Sequence, residues 1–231
     1  MSADSSGFFD SISSEYTDQI RRCVPRYTEM LWAVLDYLPK NLAPQRILEL
    51  GCGTGNLTLK LAEKYPAAEL HLADFSAGMI AQCEARVGSK AKIVPHIRDF
   101  RELHFERESL DLVASTISLH HLTDNEKQTL FGKVFQWLRP GGVFVFSDQF
   151  AGKTEETYGR HQEHWHAAAK ELGATDEEWA AWMEHQSEHD HHSPIFDQMQ
   201  WLAKAGFVEI DCPWRYLLWT VLMGRKCGSH R

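Results

Sequence analysis

Short apolar runs alternate with amphipathic helical runs along most of this chain, and few architectures satisfy that order. Residues 46–50, 69–73, 92–95, 110–115 and 143–147 are too short for buried helices and read as strands. Residues 56–64, 77–87 and 124–138 fall between them at helical spacing. The Ser76 hydroxyl can accept from first-turn amides of the second helix, and Pro140 with Gly141-Gly142 ends the third. Strands joined through helices by short loops require right-handed crossovers and a parallel sheet. The expected fold class is α/β.

Two segments depart from the alternation. Tyr27, Met30, Leu31, Val34, Leu35 and Leu38 recur at helical spacing, so residues 26–38 form an amphipathic helix between Pro25 and Pro39. A shorter helical segment, residues 14–23, precedes it. Residues 1–40 are thus expected to form an N-terminal helical unit and residues 41–231 the main domain. Residues 152–194 are polar and helical and hold seven of the chain's 13 histidines. They read as an insertion after the fifth strand, covering the carboxyl edge of the sheet. Alternation resumes with a helix at 195–205 and strands at 207–211 and 217–223. At 231 residues the chain fits one large domain with such an insertion.

Composition excludes several classes. The first ten residues lack the basic and apolar regions of a signal peptide, and no apolar run is long enough to span a bilayer. Cys23, Cys52, Cys83, Cys212 and Cys227 are scattered, odd in number and without a C-x-x-C pair. They read as free thiols in a reducing, cytoplasmic setting. A net charge of −8 with only isolated basic pairs argues against gripping duplex nucleic acid. It leaves a tRNA or single-stranded substrate open.

The run Leu48-Glu49-Leu50-Gly51-Cys52-Gly53-Thr54-Gly55 ends the first strand and opens a helix. Glycine there lets the chain turn sharply and lets a ligand approach the amides. A dinucleotide fingerprint would place Gly or Ala where Asn56 stands. Glu49 would repel a pyrophosphate but suits the ammonium of a methionine moiety. Asp74, at the end of the second strand, can accept both hydroxyls of a ribose; the alternative is a helix-capping acid. Phe75 and Met79 can sandwich an adenine, and Asp99, followed by Phe100, can accept from its amino group.

Together with Leu110-Asp111-Leu112-Val113, His120-His121-Leu122 and Leu138-Arg139-Pro140-Gly141-Gly142, these motifs resemble, in order over about 100 residues, those of class I S-adenosylmethionine-dependent methyltransferases. The resemblance implies a Rossmann-like, doubly wound, seven-stranded sheet, mostly parallel with the last strand antiparallel. It implies S-adenosylmethionine as cofactor, bound by Gly51, Cys52 and Gly53 among others, with Thr116 meeting it after strand four. Val24-Pro25-Arg26-Tyr27 and Ala205-Gly206-Phe207 resemble a narrower group that includes the carboxy-S-adenosylmethionine synthase of tRNA wobble-uridine modification. By that resemblance Tyr27 closes over the cofactor's methionine end. Those synthases pair the extra carboxylate with an arginine from the inserted helices, yet no arginine stands between Arg160 and Arg215. Simple methyl transfer is the better reading.

His120 and His121 sit where strand four meets the pocket. Either can act as a general base, or both can pack and hydrogen-bond structurally. In the insertion, His161 with His164 and His185 with His189 have the spacing of helical metal pairs, but no known ligand motif accompanies them. The expectation is no catalytic metal. Most tryptophans of the insertion and the last strands read as core, with one or two lining an acceptor pocket. Phe8, Phe9, Tyr16 and Tyr27 suggest that the N-terminal helices form a lid; plain packing on the sheet is the alternative.

The expected activity is methyl transfer to a small-molecule acceptor, with a homodimer left open. The rivals are a tRNA-modifying or carboxy-cofactor enzyme, a nicotinamide-dependent oxidoreductase, and a non-catalytic cofactor sensor.

Overall fold

A computed structural model describes residues 16–228. Phe8, Phe9 and the start of the first helical segment lie outside the described residues. Two helices, α1 (Tyr16–Cys23) and α2 (Tyr27–Asp36), lead into the alternating region. There β1 (Arg46–Leu50), α3 (Asn56–Lys64), β2 (Glu69–Asp74), α4 (Ala77–Val87), β3 (Lys92–Ile97), β4 (Leu110–Thr116), α5 (Asp124–Trp137) and β5 (Leu138–Gln149) follow in order. Helices α6 (Glu155–Glu171) and α7 (Asp176–His189) form the insertion. Helix α8 (Ile195–Ala205), β6 (Val208–Tyr216) and β7 (Trp219–Arg225) complete the fold.

The sheet order is β3-β2-β1-β4-β5-β7-β6, and only β7 runs antiparallel to its neighbours. The expected seven-stranded, Rossmann-like sheet is therefore the observed one. Strand residues alternate between two cores. Leu48, Leu50, Val113, Phe144 and Phe146 face one side with Phe131 and Leu202, whereas Leu112, Ala114, Val143 and Val145 face the other with Leu57, Leu61 and Ile80. Helix α2 packs into this second core through Met30, Leu31, Ala33 and Val34.

Capping sets the helix starts. Ser76 Oγ accepts from Met79 N at 3.0 Å, as its position predicts. Thr123 with Glu126 and Thr175 with Glu178 make full capping boxes. Two boundaries differ from expectation. Strand β5 begins at Leu138 rather than 143, taking in the Arg-Pro-Gly-Gly run. Its pairing with β4 slips between Leu110 and Leu112, and Gly141 N donates instead to Lys226 O at 2.9 Å. Strand β6 continues past 211 through Pro213. It is an edge strand with two register shifts, where a missing N–H is tolerated.

Candidate active site

The sheet reverses its winding between β1 and β4, and ligands of doubly wound sheets bind beyond the carboxyl ends of the strands at that point. A pocket of about 630 Å³ opens there, among Gly51, Cys52, Gly53 and Asp74, Phe75 and Thr116. Tyr27, Met79, Phe100 and His121 also line it. Ten of the residues singled out from sequence are thus brought together.

The first turn is built for close approach. Gly51 has φ 68°, and a Cβ on it would stand 1.6 Å from Ser118 Oγ. Gly51 N donates to Ala73 O at 2.7 Å, tying the loop to the end of β2. Asp74 completes the join: its Oδ2 accepts from Gly53 N at 2.9 Å and its Oδ1 from Ser76 N at 3.0 Å. A carboxylate accepts about four hydrogen bonds, so organising the loop is compatible with receiving a ribose. Asp74 therefore positions both the glycine turn and the start of α4.

Tyr27 does two jobs. It is buried beside the α2 core, and its hydroxyl accepts from Asn56 Nδ2 at 3.1 Å at the pocket wall. Burial pushes its phenol up to about 12 against the opposing Asn56 hydrogen bond. Arg86 Nη1 then joins Asn56 Oδ1 (2.9 Å), Thr54 O (2.5 Å) and Thr17 Oγ1 (3.2 Å), fastening α1 to the glycine loop.

Glu49, Asp99 and His120 fall outside this wall. Glu49 lies behind the loop, 1% exposed, with Oε2 accepting from Thr58 Oγ1 at 2.7 Å. Asp99 caps the turn at Arg101 N (2.8 Å), and the Arg101 guanidinium covers its carboxylate at 2.6 Å. Sequence could place both acids at strand ends but not orient their side chains. Burial raises the Glu49 carboxyl well above its usual range. For an acid shifted upward, the folded state holds the proton more tightly, so stability falls as pH rises from about 4.5 to the folded pKa. Glu49→Gln keeps an acceptor for Thr58 and removes the buried charge. It is expected to raise the melting temperature at pH 8 by about 2–4 °C, corresponding to roughly 1 kcal/mol. A lower melting temperature in a thermal scan would show that the charge has a partner worth more than its desolvation.

A second pocket, about 610 Å³, adjoins the first through Ile117 and His121, which line both. Trp165, Trp182 and Trp219 give it apolar walls, and Gln19, Ile20 and Cys23 of α1 close one side. At its polar end His120 and His121 meet His185 and Asp190. Ile117 has φ 52°, a strained value for a β-branched residue, at the junction of the two pockets.

Asp148, missed from sequence, holds this polar end. It accepts from His120 N at 2.9 Å and meets His120 Nδ1 at 2.5 Å. Its signal was a polar Asp-Gln pair closing an otherwise apolar strand. Burial disfavours the His120 imidazolium, but Asp148 and Asp190 outweigh it and raise the group to about 9. Burial and the His120 charge lower His121. Lys127 Nζ, donating to Ser193 Oγ at 2.9 Å and to His191 O, anchors the segment that carries Asp190. The His161–His164 pair gathers no carboxylate; His161 Nε2 faces Arg215 Nη2 at 3.0 Å.

Known proteins share this framework. Residues 47–142 match the family model described as a methyltransferase domain. An uncharacterized methyltransferase of Geobacillus kaustophilus is 36% identical over 140 residues, 61% of each chain. A carboxy-S-adenosyl-L-methionine synthase of Shewanella loihica is 28% identical over 154 residues, 64% of this chain and 63% of that one. The chain spans less than two thirds of the length of these curated relatives. In three dimensions, an S-adenosylmethionine-dependent methyltransferase of Mesorhizobium loti superposes with a TM-score of 0.62 and 24% identity, covering 85% of this chain and 97% of its own. No described helix is long and apolar enough to cross a membrane.

Proposed function

We propose, for a chain whose residues 47–142 belong to the class I S-adenosylmethionine-dependent methyltransferase family, that it transfers a methyl group from S-adenosylmethionine to a small molecule held in the second pocket. One observation carries this reading: a cofactor-shaped pocket organised by Gly51 and Asp74 opens directly onto a second, Trp-walled pocket. Phe75, Met79 and Phe100 offer an apolar slot for an adenine, Asp74 a partner for the ribose, and Tyr27 with Thr116 the opposite end. When bound, the cofactor supplies a methyl group already activated by a sulfonium charge. The chain's task is then to hold an acceptor in line and keep water out. A pocket of some 600 Å³ suits a small molecule. His121, shared by both pockets, orients the attacking atom and takes its proton where the acceptor arrives protonated.

The named synthase relatives favour a second reading, carboxy-cofactor formation. Against it, the described residues lining the two pockets include no arginine or lysine to pair with an added carboxylate. Calorimetry with S-adenosylmethionine, its carboxy analogue and NAD(P)H tests all three readings. Tight binding of S-adenosylmethionine alone is expected, with methyl transfer to a member of an acceptor library. Preference for the carboxy analogue would move the chain to the synthases, and binding without turnover to the sensors.

A lid role for the N-terminal helices is part of this proposal, and Tyr27 needs a gentler probe than truncation. Removing its buried ring would cost about 3–5 kcal/mol from the cavity alone. Tyr27→Phe deletes only the hydroxyl that meets Asn56, a loss of roughly 0.5–1.5 kcal/mol. Cofactor affinity is expected to fall about two- to tenfold with little change in melting temperature. Unchanged affinity in calorimetry would leave Tyr27 a packing residue.

A further inference from the structure

We propose that His120, His121 and Asp190 form a binding site for one divalent transition-metal ion at the polar end of the second pocket. One ligand atom from each lies within 4.8 Å of the other two. The closest pairs are His121 Nδ1 to Asp190 Oδ1 at 3.1 Å and His120 Nε2 to the same oxygen at 3.7 Å. Ligand atoms about 2.0–2.2 Å from a tetrahedral zinc stand roughly 3.3–3.5 Å apart, so these separations close on an ion with small side-chain shifts.

The outer contacts are those a metal site needs. His120 Nδ1 is held by Asp148, which leaves Nε2 turned toward Asp190. A carboxylate behind a ligating imidazole fixes its tautomer and raises its basicity. Asp190 is held in the same manner, its Oδ2 lying 3.5 Å from His192 Nε2 while Tyr158 bonds the far side of that ring. Two buried carboxylates on one cluster also call for cationic charge. An ion replaces the proton that His120 shares between them.

All three ligands line the second pocket, so the remaining coordination position faces it. Two imidazoles and one carboxylate with an open position suit zinc or iron(II) and not magnesium. The binding claim stands independently of the methyltransferase reading; only the ion's role in turnover rests on it. There, an acceptor oxygen or sulfur bound to the ion would lose its proton to solvent because the ion lowers its pKa, and His121 would serve as ligand rather than base.

The test uses the full chain without a histidine tag. Zinc alone, titrated calorimetrically without cofactor, is expected to bind at one per chain and to raise the melting temperature; magnesium is expected to do neither. Cobalt(II) should give a visible spectrum of nitrogen and oxygen ligation without thiolate charge transfer, excluding Cys227 as the site. Asp190→Asn and His121→Asn should each weaken zinc at least about a hundredfold, and Asp148→Asn about 10–100-fold. His161→Asn with His164→Asn should leave zinc affinity unchanged. Binding of S-adenosylmethionine to the same variants reports folding and separates this claim from the one above. No stoichiometric zinc in the wild type, or zinc indifferent to these substitutions in variants that still bind cofactor, would overturn the site. If one variant fails to fold, the remaining two and the cobalt spectrum decide.

Discussion

Asp74→Ala is expected to weaken S-adenosylmethionine binding by about a hundredfold or more. A ribose diol would give the carboxylate two charge-assisted hydrogen bonds of roughly 1.5–3 kcal/mol each, and every 1.4 kcal/mol is about tenfold in affinity. The geometry adds a second loss. Asp74 accepts from Gly53 N and Ser76 N, so the alanine variant also releases the glycine turn and the start of α4. Those two amides lose their acceptor at a site that is 7% exposed, costing about 2 kcal/mol and lowering the melting temperature by roughly 4–8 °C. Asp74→Asn separates the two effects, because its amide oxygen still accepts one backbone N–H while the charge is gone. Affinity should fall for both variants, and the melting temperature should fall mainly for alanine. Unchanged affinity by calorimetry in folded Asp74→Ala would place the ribose elsewhere.

What was legible in the sequence followed from local rules. Helices α3, α4 and α8 lie where periodicity and capping put them, and Gly51, Gly53 and Asp74 meet because strand ends of one parallel sheet share an edge. Glu49 and Asp99 show where local rules stop. Both stand at the expected strand ends, yet Thr58 holds one behind the loop and Arg101 covers the other. Side-chain direction there depends on partners from other elements. The second pocket depends on such partners throughout. His120 and His121 were visible as a pair, but Asp148 comes from the end of β5 and Asp190 from beyond α7. The sequence argued against a metal at His185 and His189 because it offered no motif. A site assembled from three separate segments has no spacing to read. The strain at Ile117 is likewise silent in sequence, since nothing in isoleucine announces φ 52°.

The insertion poses the same problem on a larger scale, and Trp165→Ala tests it. Polar composition made residues 152–194 read as a cover over the sheet edge, and a detachable cover would tolerate losing one side chain. The structure ties it to the body through one indole. Trp165 is 2% exposed, its Nε1–H donates to Cys23 O at 2.6 Å, and it packs edge-on against Trp179 and Trp219 at 4.6 and 5.6 Å. One side chain of α6 thereby meets α1, α7 and β7 together. Truncating a buried aromatic leaves a cavity worth about 3–5 kcal/mol, and here it also strips a buried carbonyl of its donor. For a chain of this size that lowers the melting temperature by roughly 10 °C or more. Trp165 lines only the second pocket, so S-adenosylmethionine affinity should stay within about threefold while turnover falls. Trp165→Phe keeps most of the ring area and loses the N–H, and should cost about 1–3 kcal/mol. A small shift in melting temperature for the alanine variant would mean that the insertion closes over the sheet as an independent flap. Cofactor affinity falling in step with turnover would mean that the two pockets are one.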